Sequence, residues 1–220
     1  MSSTAEVRTT AVLTPVLPHE ALQMIAHELR QPLSTMGSIA YYLSLILPPG
    51  DNRAQEHLAR LQQLVEQSNW ILICGLQLAD ATPLAPELLD LGQLIEQTVS
   101  ARTTQGHPPP ELELSGGRRV VRMDRGRGRA LIENLLGLFL HVAGDAHPVR
   151  LRTAAPDTGE AGGAVLEIST AVPGFRSEGA LGSGSSLGLE CARRIVHAHG
   201  GSLSVEVDPA SGIRVRAVLP

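Results

Sequence analysis

Two long apolar seams separated by one break constrain how the N-terminal part of this chain can fold. From Pro18 to Leu47 apolar residues recur at steps of three and four, and a second run with the same spacing extends from Leu58 to Ala79. The segment PPGDN at 48–52 interrupts helical structure because proline lacks a backbone N–H. The sequence therefore predicts an antiparallel hairpin of two helices of about thirty residues each. Since one hairpin cannot bury both seams, we expect a homodimer in which two copies form a four-helix bundle.

The pattern changes after Pro86, where segments with helical and strand character begin to mix. This part of the chain predicts a sheet with helices packed on one face. Helices are expected at 88–105, 127–143 and 189–199, the last after a Gly/Ser-rich loop, and strands at 111–115, 118–123, 148–154, 164–170, 202–207 and 212–219. The predicted class is α+β, with a flexible leader at 1–17, the helical hairpin at 18–84 and an α/β sandwich domain at 85–220.

Composition excludes several classes of protein. The net charge is −4, and no apolar run approaches the roughly 20 residues of a membrane-spanning helix, so we expect a cytoplasmic protein without a membrane partner. The N-terminus lacks the basic flank and apolar block of a signal peptide. All 18 basic residues are arginine, which excludes catalysis by a lysine Schiff base or a P-loop lysine.

Two other features have ordinary interpretations. The six arginines within 118–129 have no aromatic residues among them, so we interpret them as a solvated surface and expect no nucleic-acid partner. Cys74 and Cys191 fit no metal-ligand spacing, and we expect both to be reduced, buried thiols that pack as small apolar side chains.

The heptapeptide HELRQPL at 27–33 lies inside the first predicted helix. If Leu22 is placed at heptad position a and Ile25 at d, His27 falls at f, which faces solvent. This phase argues against a buried core histidine, although a solvated surface histidine without function remains an alternative. The position favours a histidine that is accessible to another molecule.

Pro32 lies five residues after His27 and removes the helical hydrogen-bond partner of the Glu28 carbonyl. Such a proline costs about 3 kcal/mol in a helix interior, which suggests a functional reason for it. Glu28 could accept a hydrogen bond from one ring nitrogen of His27 and leave the other as a nucleophile. An exposed and oriented imidazole of this kind is suited to carrying a phosphoryl group.

HELRQPL resembles the H-box of two-component sensor histidine kinases, in their HisKA-type dimerisation and phosphotransfer hairpin. The resemblance covers residues from about 18 to 220. It implies that His27 is the phosphoacceptor, that Glu28 is the assisting acid, and that Gln31 lies where a polar residue often helps to dephosphorylate a receiver domain. The candidate contacts for a response-regulator receiver are Arg30, Gln31 and Ser34, which lie within about two helical turns of the histidine.

The second half resembles the ATP-binding domain of the same family, which is of the Bergerat type. Residues 131–143 are similar to its N-box, and residues 187–207 are similar to its G2-box helix and the strand that follows. The resemblance implies an adjacent G1-box at 170–174, which reads TAVPG in this chain.

Several nucleotide-binding positions depart from the family pattern, and one of them is Ser186, which replaces the middle glycine of the G2-box. Leu138 replaces the asparagine that usually binds Mg²⁺, Thr170 replaces the aspartate that recognises adenine, and Val172 replaces the first glycine of the G1-box. We therefore expect no bound cofactor and no metal site in this chain. The family residues that are retained are Asn134, Gly174, Gly184 and Gly188.

The resemblance implies a histidine phosphotransferase built on a degenerate kinase body. In that interpretation, His27 moves a phosphoryl group between two receiver domains without ATP, and the receiver supplies the Mg²⁺. Two alternatives stay open from the sequence: an atypical ATP-dependent histidine kinase, and a non-catalytic receiver-binding module or receiver phosphatase, with which Gln31 is compatible.

Overall fold

A computed structural model describes residues 19–48, 51–104, 109–114, 117–144, 146–156, 163–172 and 183–220. The predicted leader at 1–17 lies outside these ranges. The helices are α1 (His19–Ile46), α2 (Asn52–Ala79), α3 (Leu91–Thr104), α4 (Arg125–Ala143) and α5 (Ser183–Ala198). The strands are β1 (Glu87–Asp90), β2 (Glu111–Glu113), β3 (Val120–Met123), β4 (Val149–Ala154), β5 (Ala164–Thr170), β6 (Ser202–Asp208) and β7 (Gly212–Leu219).

The predicted hairpin is confirmed by helices α1 and α2, which pack against each other along their length. Asp51 caps the second helix because its carboxylate accepts a hydrogen bond from the Ala54 N–H at 3.1 Å. Gly37 of α1 faces Val65 of α2, and a Cβ at Gly37 would be in ordinary van der Waals contact with a methyl group of Val65 at 3.6 Å. The two helices therefore bury part of their apolar residues against each other within a single copy of the chain.

A second apolar face of the hairpin is not covered by the described residues. Ile25, Leu29 and Met36, which belong to the predicted seam of α1, are between 45% and 48% exposed. Met24 and Ile39 beside them are 68% and 53% exposed. An apolar surface on this scale is typical of an interaction site.

The sheet domain contains five strands in the order β2-β4-β5-β7-β6. Strands β2 and β4 are parallel, and the other neighbouring pairs are antiparallel. The terminal β6–β7 hairpin has the predicted position, with Val205 opposite Val215. Apolar side chains of the strands join those of α3, α4 and α5 in one buried core. The predicted α+β class is therefore confirmed.

Two predictions at element boundaries were wrong. Residues 88–90 were expected to be helical but belong to β1, which pairs with β3 in a separate two-stranded sheet and places Leu89 opposite Val121. The helix starts only after Asp90, whose carboxylate accepts hydrogen bonds from the N–H groups of Gly92 and Gln93. This non-local strand pairing overrides the helical preference of leucine.

The other wrong boundary lies at α5, which begins at Ser183 and not after the Gly/Ser-rich segment. Glycine and serine favour a loop in isolation. In the folded chain Gly188 lies inside the helix, where its lack of a side chain lets α5 approach a tryptophan of α2. Tertiary packing therefore extends the helix into a segment that local preference assigns to a loop.

Asp124 is the residue whose replacement tests the start of α4. Its carboxylate accepts hydrogen bonds from the N–H groups of Arg127 and Ala85, so it caps the helix and holds the segment that follows α2. We expect Asp124→Ala to lower the free energy of unfolding by about 1 kcal/mol in urea titrations. Asp124→Asn is the matched control and should retain most of the stability, since asparagine also caps helices.

The pH dependence provides a second check on Asp124. Hydrogen bonds from Arg127, then from Ala85, hold the pKa of its carboxyl group below the usual value. The stabilisation is therefore present above the unfolded carboxyl pKa of about 3.9 and is lost as pH falls through the lower folded value. A difference between wild type and Asp124→Ala that stays constant at acidic pH would contradict this role.

Candidate functional site

His27 lies on α1 with its side chain exposed, as its heptad position predicted. Gln31 follows one turn later, and its amide nitrogen is 3.4 Å from Nε2 of the His27 ring. Since an amide nitrogen does not accept hydrogen bonds, the Gln31 N–H group is the donor of this contact and Nε2 is its acceptor. The contact is long for a hydrogen bond and lies in solvent, so an incoming group could displace it easily.

The predicted site residues are aligned on one side of the helix. His27, Arg30, Gln31 and Ser34 follow the spacing i, i+3, i+4 and i+7, which places them on a common face of α1, and all four are exposed. Glu28 is one residue from His27, and consecutive helical residues do not face each other. The contact that orients the ring in the structure comes from Gln31, a pairing that the i, i+4 spacing could have revealed.

The retained N-box residue Asn134 is buried against the hairpin. Its side-chain N–H donates to the side-chain oxygen of Gln77 at 2.7 Å. Its own side-chain oxygen lies 3.6 Å from the thiol of Cys74, which also belongs to α2. Asn134 is 0% exposed, so its amide is used to join α4 to α2.

Two residues that replace nucleotide-binding residues of the family, Leu138 and Thr170, make contacts inside the sheet domain. Leu138 belongs to the buried apolar core of the sheet domain. Thr170 is buried, and its hydroxyl donates to the backbone carbonyl of Pro148 at 3.0 Å. The polar groups needed to bind Mg²⁺ or adenine are thus replaced by a core side chain and by an internal hydrogen bond. These residues do not fit an ordinary Mg·ATP site.

Two of the three retained glycines, Gly184 and Gly188, lie in α5. Gly184 lies in the first turn of α5, and Gly188 lies farther along the same helix. Gly174 lies outside the described residues. A Cβ added to Gly188 would lie 3.0 Å from the indole ring of Trp70, so this glycine serves a contact with the hairpin.

Trp70 of α2 lies in a notch between two helices of the sheet domain. The notch is formed by Gly137 of α4 and Gly188 of α5, and a Cβ at Gly137 would come within 2.8 Å of the indole ring. Real Cβ atoms are not found that close to another heavy atom, so this approach needs a glycine. We call this arrangement the glycine notch.

The contacts with the sheet domain continue along the same side of α2. Trp70, Cys74 and Gln77 follow the spacing i, i+4 and i+7, which defines one helix face. At the end of this face Asp80 forms an ion pair of 2.7 Å with Arg127, whose side chain is largely buried. The last turn of α2 is thus attached to α4 by a charge-assisted contact.

Sequence reasoning did not identify this interface, although a signal was present. Glycine inside a helix is unfavourable relative to alanine by about 1 kcal/mol unless it serves a close approach. Gly137 and Gly188 lie within helices, and Trp70 is the only tryptophan in the chain. The combination indicates where an aromatic ring meets two helices.

Comparison with solved structures gives the fold an independent assignment. The chain is similar to full-length ShkA, which was crystallised in complex with AMPPNP, with a TM-score of 0.57 and 22% identity over 93% of this chain. It is also similar to the catalytic domain of histidine kinase ThkA, with a TM-score of 0.51 and 17% identity over 62% of this chain and 96% of that domain. The fold is that of a sensor histidine kinase.

The histidine-kinase fold covers both parts of the chain, the hairpin and the sheet domain. The chain spans about half the length of ShkA, since the match covers 46% of that protein. No protein-family model and no curated protein sequence matches this chain. Within the described residues, none of the helices is long and apolar enough to cross a membrane.

The glycine notch can be tested by adding a single methyl group. We expect Gly137→Ala and Gly188→Ala each to lower the free energy of unfolding by about 1–3 kcal/mol, because the added Cβ overlaps the Trp70 ring. The emission of Trp70, the only tryptophan, should shift to longer wavelength as its ring loses the packed surroundings. Urea titration and fluorescence of the same samples measure both effects.

Gly75→Ala is the matched control, since it lies in α2 and its Cβ would meet nothing within 4 Å. Alanine there should leave stability unchanged or raise it by up to about 1 kcal/mol. In a Trp70→Leu background the cost of Gly137→Ala should largely disappear. Equal costs with and without the indole ring would show that Trp70 does not fill the notch.

Proposed function

We propose that this chain is a histidine phosphotransferase of a two-component phosphorelay, which moves a phosphoryl group between receiver domains through His27 without using ATP. One contrast supports the proposal. The H-box histidine is exposed on α1 within a polar helix face. The positions that correspond to nucleotide-binding residues are committed to internal contacts instead.

The transfer step needs little from the chain beyond an accessible nucleophile. A neutral ring nitrogen of His27 attacks the phosphorus of a receiver aspartyl phosphate in line, so a P–N bond forms as the P–O bond to the aspartate breaks. The aspartate leaves as a carboxylate. Transfer to a second receiver reverses these bonds. If Nε2 is the nucleophile, its contact with the Gln31 amide must break first. The free-energy cost of breaking it is small, because the contact is long and exposed.

The receiver-binding surface is proposed to be the polar face around His27. Arg30 offers a cation and Ser34 a hydroxyl within two turns of the histidine, and both side chains are exposed. Glu28 is retained as the proposed assisting acid. Since the receiver carries its own acidic pocket and Mg²⁺, the chain's task is to position His27 for the in-line attack.

The free energies of the missing contacts favour the loss of useful ATP binding. A buried hydrogen bond to a charged group contributes about 1.5–3 kcal/mol, so the replacement of the adenine-binding aspartate by Thr170 alone would weaken binding by roughly 10- to 150-fold. The loss of the metal ligand at Leu138 adds to this. To meet a phosphate, Asn134 would also have to give up its 2.7 Å hydrogen bond with Gln77. We infer that these effects together remove the kinase reaction.

The proposed functional unit is a cytoplasmic homodimer. Its support is the apolar face of α1, where Met24 and Ile39 are more than half exposed in the single chain. Two copies packed through this face would complete a four-helix bundle. The proposal includes no nucleic-acid partner: four of the six arginines in 118–129 form ion pairs with acidic residues, namely Arg118, Arg125, Arg127 and Arg129.

Transfer from a phosphorylated receiver tests the function. Candidate receivers would be phosphorylated with a labelled small phosphodonor, freed of excess donor and mixed with the protein in the absence of nucleotide. We expect acid-labile label to appear on the chain, and His27→Gln to abolish it, because an acid-labile P–N bond needs the imidazole ring. His57→Gln is the matched control, since this exposed histidine lies on α2 of the same hairpin.

The same experiment distinguishes the receiver phosphatase, a second candidate that the position of Gln31 favours. A phosphatase would remove label from the receiver without labelling the chain. Its activity would fall in Gln31→Ala and survive in His27→Gln. That pattern would contradict phosphotransfer.

A further inference from the structure

The two cysteines of the chain meet at the interface between the hairpin and the sheet domain. Cys74 lies on α2 and Cys191 on α5, 117 positions apart, and both are buried. The Cys191 sulfur is 3.4 Å from the backbone carbonyl oxygen of Cys74. A covalent bond between the two sulfurs would therefore join the two parts of the molecule.

A cavity of about 250 Å³ lies beside this pair. Cys191 forms part of its wall, together with the polar side chains of Gln77, Arg127, Arg194 and His199. A single water molecule needs roughly 10–15 Å³ of such space, so the cavity is large enough to admit hydrogen peroxide. Since Cys191 is only 1% exposed, access favours a small oxidant over a bulky one.

The surroundings make the two thiols unequal. A hydrogen bond from Cys74 lowers the pKa of Cys191, and the Arg194 guanidinium acts in the same direction, while burial opposes both. The interaction with Cys191 raises the pKa of Cys74, and burial raises it further. Cys191 also borders the cavity, whereas Cys74 is not among its lining residues, so an oxidant entering there meets Cys191 first. Access and the cation of Arg194 together assign Cys191 as the nucleophile, because the thiolate is the reactive form.

We propose that Cys191 and Cys74 form a peroxide-sensitive pair that closes into a disulfide between α5 and α2. The Cys191 thiolate attacks one oxygen of hydrogen peroxide, the O–O bond breaks, and with one proton taken up the products are a sulfenic acid and water. The Cys74 thiol then attacks the sulfenic sulfur. The S–S bond forms, the S–O bond breaks, and the hydroxyl leaves as water with the Cys74 proton.

The disulfide has a defined structural consequence. Cys74 lies one helical turn beyond Trp70 on the same face of α2. A disulfide at Cys74 would therefore keep the Trp70 ring packed in the glycine notch. In the reduced state the hairpin and the sheet domain are joined by packing, hydrogen bonds and the ion pair of Arg127 with Asp80. Oxidation makes that arrangement covalent. The proposal is independent of phosphotransfer by His27, and either can fail without the other.

The test is peptide mapping of the folded protein after treatment with hydrogen peroxide. Free thiols are blocked on unfolding, and the protein is cleaved after arginine without reduction. We expect the peptide 61–102, which contains Cys74, to be linked to the peptide 177–193, which contains Cys191, with a mass about 2 Da below their sum. A thiol reductant should restore both peptides. The oxidised protein should also unfold at a higher temperature than the reduced protein.

Two variants assign the roles, with Trp70 fluorescence as the check that each is folded. In Cys74→Ser, peroxide should leave a sulfenic acid on Cys191 that dimedone traps. In Cys191→Ser, Cys74 should give no dimedone adduct under the same conditions. Adducts on Cys74 alone would overturn the assignment of the nucleophile.

The proposal as a whole fails if both residues of the folded wild-type protein remain free thiols under peroxide. It also fails if the only disulfides formed link two chains, or if Cys191 proceeds to the sulfinic acid without joining Cys74. Protein treated with peroxide in urea is the control that both thiols can be oxidised at all.

Discussion

The packing of Trp70 between Gly137 and Gly188 is the contact on which the relative position of the two parts of this protein depends. A Cβ at Gly137 would come closer to the indole ring than real Cβ atoms do, and a Cβ at Gly188 would make an unusually tight contact with it. Once the ring is in place, the next turns of α2 bring Cys74 and Gln77 against the sheet domain. The buried amide of Asn134 then finds its partner across the interface, which satisfies a polar group that would be costly to leave unpaired.

In this arrangement the two helices of the hairpin have different surroundings. Helix α2 uses one face to contact the sheet domain, while α1 keeps His27 and its polar neighbours exposed. An ATP-dependent histidine kinase must bring a nucleotide carried by its ATP-binding domain to the histidine. Here the N-box asparagine instead contacts the hairpin. In the proposed function, the sheet domain supports α2 and the phosphoryl group comes from a receiver.

The sequence revealed those elements whose signal is local. The hairpin follows from two periodic seams and a proline break, and β6 and β7 follow from alternating residues around DPASG. Strand β1 was missed because Leu88 and Leu89 favour a helix locally and become a strand only through pairing with β3. The exposure of His27 followed from its heptad phase. The interface of Trp70, Asn134 and the two cysteines could not be derived in this way, because it depends on which helix faces meet in three dimensions.

The central claim is that this chain receives its phosphoryl group without a kinase reaction of its own. The most direct measurement is to incubate the purified protein with γ-labelled Mg·ATP, beside a His27→Gln control, and to quantify acid-labile label on the chain. The account predicts no labelling above the His27→Gln background. Label that accumulates on the wild type and vanishes in His27→Gln would contradict it, and would make the protein an atypical ATP-dependent histidine kinase.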